Sequence, residues 1–147
     1  MIHRAAAFLA ALPLLAALGC ASSFVDPTGR LNSLENAQER YTQLVRWGEL
    51  ARAAAYVEPE LREEFLGYAP FFEQIRFTDA DTSEVKLDPS EDSASIDVVY
   101  HAYSLASFQE KRILETQEWT RYDGVQNTWF VRPEISEIVG AFHARAN

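Results

Sequence analysis

An α+β fold, with N-terminal helices packed on a curved antiparallel β-meander, is predicted for this 147-residue chain by three observations. Apolar residues from Leu34 to Ala55 recur every three or four positions, the period changes to two after Ile75, and Asp123-Gly124 divides two apolar segments near the C-terminus. These are the spacing of an amphipathic helix, the alternation of strands and the strongest short hairpin signal. Helices followed by a run of antiparallel strands segregate into two layers, the sheet wrapping the long helix.

In order along the chain, Asn32 or Ser33 offers a helix cap, and with Asn32 as cap Glu35 falls at the third helical position, as in a capping box. Leu34, Ala37, Tyr41, Leu44, Val45, Gly48, Ala51 and Ala55 then form one apolar stripe of a long helix. A glycine inside such a helix costs about 1 kcal/mol relative to alanine, so Gly48 predicts a close approach by a neighbouring element. Pro59 suits a first helical position, Leu61 and Phe65 continue a shorter helix to about Gly67, and "YAPFF" (68–72) reads as a bulky core plug.

Ile75, Phe77, Val85 and Leu87 share one strand parity, with "TDADTS" marking a bulge or bend, and "DPSEDS" (88–93) is a turn. "ASIDVVYHAYSL" (94–105) is apolar on both parities, which predicts a strand covered on both faces. A third strand covers 111–122, and "NTWFV" (127–131) is a fourth. Ile135, Ile138, Val139 and Phe142 follow Pro133 at helical steps and predict a terminal helix.

The order of elements, together with "QEW" (117–119), "DG" and "TWFV", resembles the NTF2-like or cystatin-like superfamily over Leu31 to Val131. That resemblance implies a sheet wrapped around a helix, often with a pocket between them, and it admits a homodimer through the sheet without selecting one.

Upstream of this domain, Arg4 precedes the apolar run Ala5–Leu18, which Pro13 interrupts, and Gly19-Cys20-Ala21 is small: the layout of a secretory leader. The run is shorter than the roughly 20 apolar residues a membrane span needs. An ordinary peptidase could cut after Ala21. Alternatively, Ala17-Leu18-Gly19-Cys20 resembles a bacterial lipobox, in which the cysteine is acylated and becomes the first mature residue. A lone cysteine in an exported chain has no intramolecular partner, and its place at the cleavage point favours the second reading. The expected organisation is a signal peptide at 1–19, a tether at 20–30 and the α+β domain at 31–147. The lipoprotein resemblance further implies an outer-membrane destination facing the periplasm, because Ala21 stands where Asp is the usual retention signal.

Loss of Arg4 with the leader takes the formal net charge from −9 to −10. No basic cluster accompanies it, which excludes a nucleic-acid binder and any electrostatic attachment to anionic lipid. The partners expected are therefore the membrane, through the acyl chains, and either a small apolar ligand or an envelope protein. No cofactor is expected, and with His3 in the leader and His143 in the tail no zinc-like ligand set converges, so no metal is expected.

A candidate pocket draws on Tyr41, Trp47, His101, Tyr103, Trp119 and Trp129. Trp47 lies at the edge of the helical stripe; Asp97, Val99, His101 and Tyr103 share a strand face. Some members of the superfamily hold His, Asp and Tyr inside their cone, so the alternative function is a small enzyme using His101 and Tyr103 for proton transfer or hydration. No catalytic spacing surrounds His101, and the favoured reading is non-enzymatic, with no catalytic residue assigned. Glu115 and Glu118 lie on opposite parities of one strand and are expected in solvent or paired with arginines. A two-residue turn at Asp123-Gly124 would set Glu118 opposite Trp129 and place the tryptophans Trp119 and Trp129 on opposite faces.

If Cys20 is the acceptor, protein extracted from membranes carries a lipid-sized mass increment on an N-terminal Cys20, and Cys20→Ser moves the domain to the soluble fraction. Intact-mass measurement after fractionation checks both.

Overall fold

The computed structural model describes Asp26, residues 28–88, Ser90, residues 92–122 and residues 127–143; Cys20 and the expected leader lie outside the described residues. Helix α1 (Arg30–Arg46) leads into α2 (Leu50–Ala53), α3 (Arg62–Gly67) and α4 (Ala69–Phe72). Strands β1 (Ile75–Thr82), β2 (Lys86–Leu87), β3 (Ser93–Ser104), β4 (Glu110–Tyr122) and β5 (Thr128–Arg132) follow, and α5 (Ile135–His143) ends the described chain. The sheet is antiparallel and unclosed, in the order β1-β3-β4-β5, with β2 beside β1 on the same flank of β3. This is the expected α+β architecture, helices on one face of an antiparallel sheet.

Helix α1 buries Leu34, Gln38, Tyr41, Thr42 and Val45, a stripe at three- and four-residue steps. Its start differs from the expected Asn32 cap: Gly29 precedes the helix, and the carboxylate of Asp26 accepts the Asn32 backbone N–H at 2.9 Å. That bond holds the Asp26 carboxyl below its usual range. Its end differs as well. The helix stops at Arg46 because Gly48 adopts φ 72°, with Gly48 N–H donating to the Val45 carbonyl and Glu49 N–H to the Leu44 carbonyl. This is a Schellman closure. A Cβ on Gly48 would meet nothing within 4 Å, so the glycine serves its backbone conformation and not the close approach expected.

The strands show why single-residue register matters. A bulge between Phe77 and Asp79 bends β1 where the sequence predicts it, and the expected four strands become five because β2 is a separate short segment. Along β3 alternate residues are buried, Ala94, Ile96, Val98, Tyr100 and Ala102 facing the helices, while Val99, His101 and Tyr103 are only half-buried. The expectation that both faces are covered fails on the outer side.

The last hairpin pairs Trp119 with Val131 and Arg121 with Trp129, a register three residues away from the one a two-residue turn would impose. Five residues, 123–127, separate the strands. An odd shift moves a strand's side chains to the other face. Trp119 and Trp129 consequently share the inner face, both buried, and Phe130 turns outward to meet Tyr122 with ring centroids 5.0 Å apart. The β5 edge does not stand open: Val57 forms a parallel bridge to Val131, and the Glu58 N–H donates to the Val131 carbonyl.

Two clamps fix the ends. Arg121 grips Asp92 through Nε and Nη2, and Arg30 reaches the same carboxylate at 3.5 Å, joining β4 and the start of α1 to the β2–β3 turn. In that turn the Ser93 and Ser90 hydroxyls donate to Asp88 and lower its carboxyl to about 2. At the other end, Lys111 Nζ donates to the Ala141 carbonyl at 2.6 Å, a cation at the C-terminal turn of α5.

Gly48→Ala should cost roughly 1–2 kcal/mol, the left-handed backbone penalty for an L-residue with no compensating contact. Urea denaturation of the two proteins measures it, and Gly48→Asn should lose less.

Candidate functional site

Strand alternation places Ile113, Glu115, Gln117 and Trp119 on the inner face of β4, so a carboxylate and an amide stand in the layer between sheet and helices. Glu115 and Gln117 are wholly buried. Facing them, Gln38 and Thr42 occupy the middle of the buried stripe of α1, and Tyr41 and Tyr100 complete the group from α1 and β3.

The hydrogen bonds form a chain. Trp119 Nε1 donates to Gln117 Oε1 at 3.2 Å, and Gln117 Nε2 donates to Glu115 Oε2 at 2.9 Å. The same nitrogen lies 3.4 Å from Thr42 Oγ1 and from Tyr100 Oη; an amide has two hydrogens, so these two acceptors share the second. Gln38 Nε2 donates to Thr42 Oγ1 at 2.9 Å and to Thr82 Oγ1 at 3.2 Å, linking the cluster to β1.

Two atoms are left over. Tyr41 Oη and Glu115 Oε1 are buried without a hydrogen-bond partner among the described residues. Such a group costs about 1–3 kcal/mol, so the pair marks either strain or a place that a ligand or water completes. Burial pushes the Glu115 carboxyl up to about 7, against the pull of the Gln117 amide, the Tyr100 hydroxyl and the Glu134 backbone. Burial, and then the Glu115 charge, likewise raises the Tyr41 hydroxyl well above its ordinary value.

A cleft of about 210 Å³ opens between α3 and the β5–α5 connection, lined by Leu61, Glu64, Phe65, Tyr68, Arg132 and Glu134 among others; neither Tyr41 nor Glu115 lines it. The Phe65 ring lies 6.2 Å from that of Tyr41. Arg132 is held on the rim by Glu58, whose carboxylate it meets at 2.7 Å and 3.2 Å. A larger cleft of about 520 Å³ lies beyond α4, lined by Arg46, Trp47, Phe72, Arg76 and Phe77. Phe77 packs on Tyr100 with centroids 5.1 Å apart and screens the polar cluster from that side. The smaller cleft is the better candidate, because two of its lining residues adjoin the polar cluster, Phe65 at Tyr41 and Glu134 at the Glu115 carboxyl.

The residues of the sequence-predicted pocket do not all meet. Tyr41 and Trp119 stand edge to face, 5.9 Å apart, in the buried layer. Trp129 is in the same layer but away from the cleft's lining, its Nε1 donating to Ser33 Oγ at 2.9 Å. Trp47 is 72% exposed, under Arg46 at the larger cleft. His101 and Tyr103 lie on the outer face of the sheet and line neither cleft. There His101 is 3.8 Å from Asp81 and 4.0 Å from Glu110, while Tyr103 stacks near Phe108.

Glu115 is a correction. Expected in solvent or beside an arginine, it is the most buried acid of the described chain and accepts a hydrogen bond from the Gln117 amide. The signal was available in "ILETQEW": with Ile113 and Trp119 turned inward, parity places Glu115 and Gln117 between them. Among the described residues no group of three or more His, Cys, Asp or Glu is placed to hold a metal ion, and no described helix is long and apolar enough to cross a membrane.

No protein-family model and no curated protein sequence matches the chain. Among solved structures it is similar to a protein of Xanthomonas campestris pv. campestris described as a putative polyketide cyclase, at 11% identity and a TM-score of 0.47, over 76% of this chain and 96% of that one. No residue role is carried over from it.

The raised Glu115 carboxyl makes stability depend on pH. The folded chain keeps its proton up to about 7, whereas the unfolded chain releases it near 4.5, so stability is full below about 4.5, declines as pH rises to about 7 and is then level. At 1.36 kcal/mol per unit the decline is on the order of 3 kcal/mol. Asp26 and Asp88, with lowered carboxyls, act oppositely and destabilise only below their unfolded value of 3.8. Denaturant unfolding between pH 4.5 and 8 should show this fall in the natural protein and a nearly flat profile in Glu115→Gln.

Proposed function

We propose that this chain is a lipid-anchored envelope protein. In this reading acylated Cys20 moors an NTF2-like domain at the periplasmic side of the outer membrane, and the domain binds a small molecule with an apolar body and one polar end. The ligand's body occupies the cleft between α3 and the β5–α5 connection, against Leu61, Phe65 and Tyr68, and its polar end meets the polar residues of the same lining. One observation carries the reading: the cleft adjoins, through Phe65 and Glu134 of its lining, the buried residues Tyr41 and Glu115, whose Oη and Oε1 lack partners. Binding pockets combine apolar surface with placed polar groups, and this cleft sets Leu61, Phe65, Tyr68, Pro133 and Ile135 beside Glu64, Arg132, Glu134 and Ser136. An envelope protein as partner is the competing occupant, and nothing in the cleft favours it over a small molecule.

The test is native mass spectrometry of the full chain extracted from its own membranes, followed by identification of what travels with it. A small molecule retained by the natural protein and lost from Ser136→Trp, which fills the cleft mouth from an exposed position, is the expected result. Bare protein in both cases, with a stoichiometric envelope protein captured by crosslinking, would transfer the function to a protein partner.

A further inference from the structure

We infer that the larger cleft, beyond α4, is a second binding site and that it takes an organic carboxylate carried on a flat aromatic body. The two clefts share no lining residue, so this site stands apart from the ligand of the smaller one.

The anionic end is set by Arg76, which lines the larger cleft. Its Nη1 donates to the main-chain carbonyls of Glu73 at 3.1 Å and of Ile75 at 2.7 Å, which uses both hydrogens of that nitrogen. Nε and Nη2 are left without a partner among the described residues. That edge of a guanidinium is the fork that receives the two oxygens of a carboxylate. Here the group is already anchored at its other end, so binding costs it less rotamer freedom than an unattached arginine would lose. Glu73 also lines the cleft, but Arg76 bonds its main-chain carbonyl and makes no ion pair with its carboxylate. The Glu73 side chain is exposed, and water and salt screen its charge.

Arg46 reinforces the positive charge from the end of α1. Its Nη2 donates to the Thr78 carbonyl, and its ion-pair partner Asp79 is 3.7 Å away and largely in water. In a chain of net charge −9, one cleft thus holds two guanidinium groups, each fixed on main-chain carbonyls.

The walls determine the body. Trp47 is 72% exposed at this cleft, although an indole is ordinarily well buried. Phe72 and Phe77, with centroids 5.8 Å apart and planes 34° from parallel, bring the aromatic rings of the lining to three. Such rings meet a flat guest in offset or edge-on contact, which a flexible chain does not reproduce. The volume of about 520 Å³ falls in the range of small-molecule sites and receives a two-ring acid.

The experiment titrates the full chain, in nonionic detergent at pH 7, with naphthoate, its neutral counterpart naphthamide and the flexible acid decanoate, and follows the indole N–H resonances of the tryptophans. The resonance that is missing from Trp47→Phe should move with naphthoate, while those of the buried Trp119 and Trp129 stay. Naphthoate should bind about tenfold more tightly than naphthamide, as a charge-assisted pair of hydrogen bonds implies, and more tightly than decanoate. Arg76→Gln should bring naphthoate down to the affinity of naphthamide, and Arg76→Lys should recover only part of the loss, since it restores the charge without the fork. Thermal unfolding verifies both variants, and the acid–amide comparison in the natural protein decides the matter if either fails to fold. Equal binding of acid and amide, decanoate held as tightly as naphthoate, or naphthoate binding indifferent to Arg76→Gln would overturn the assignment. So would naphthoate that leaves the Trp47 resonance in place and is displaced by Ser136→Trp, a result that puts the acid in the smaller cleft. Failure of all three probes removes this site and leaves the reading of the smaller cleft to its own test.

Discussion

The hydrogen bond from the Gln117 amide to the Glu115 carboxylate is the contact on which the inner layer depends. A carboxyl group in an apolar layer is tolerable only when it is hydrogen-bonded or neutral, and Glu115 is held by both means: one oxygen takes the amide, and burial favours the protonated form. Gln117 in turn is oriented by Trp119 from the same strand and reaches Thr42 on the helix. Helix and sheet are thus joined by directional bonds at their centre, where most of the surrounding contacts are non-directional apolar packing. A slide of α1 along the sheet would preserve much of the apolar contact and break these bonds.

That central cluster explains the placing of the surrounding segments. The α3–α4 segment lays Phe65 over Tyr41 and Phe72 over Phe77, which itself covers Tyr100, so aromatic rings form a lid across the polar groups. Helix α5 closes the remaining side, with Phe142 against Phe71 and Lys111 joined to its last turn. The cover is incomplete at the junction of α3 with the β5–α5 connection. The cleft at that junction reaches the polar cluster only through its lining residues, Phe65 beside Tyr41 and Glu134 beside Glu115.

The outer face of the sheet has a different character. Its residues, among them Asp97, Val99, His101, Tyr103, Leu114 and Thr116, are exposed or half-exposed, and polar pairs such as Thr116 with Asp97 are made in reach of water. The imidazole at His101 is flanked by Asp81 and Glu110 at salt-bridge limits in a solvated setting, where such pairs contribute little. Chemistry that needs exclusion of water is better served on the inner face.

The element types are legible in local spacing, because periods of 3.6 and two are local properties: α1 as an amphipathic helix, the bulged β1, the long β3 and β4, and α5 after Pro133 all follow from it. The same spacing also contains the inner position of Glu115 and Gln117, through parity with Ile113 and Trp119, although an apolar-only reading of the stripes passes over Gln38, Thr42 and both of these residues. The hairpin register emerges only in the folded molecule, since a turn signal at Asp123-Gly124 is a local preference and the pairing of Trp119 with Val131 is set by which face the core demands. The same holds for Gly48 ending the helix and for Tyr41 meeting Phe65 and Glu115, because these depend on distances between segments far apart in the chain, which no local period encodes.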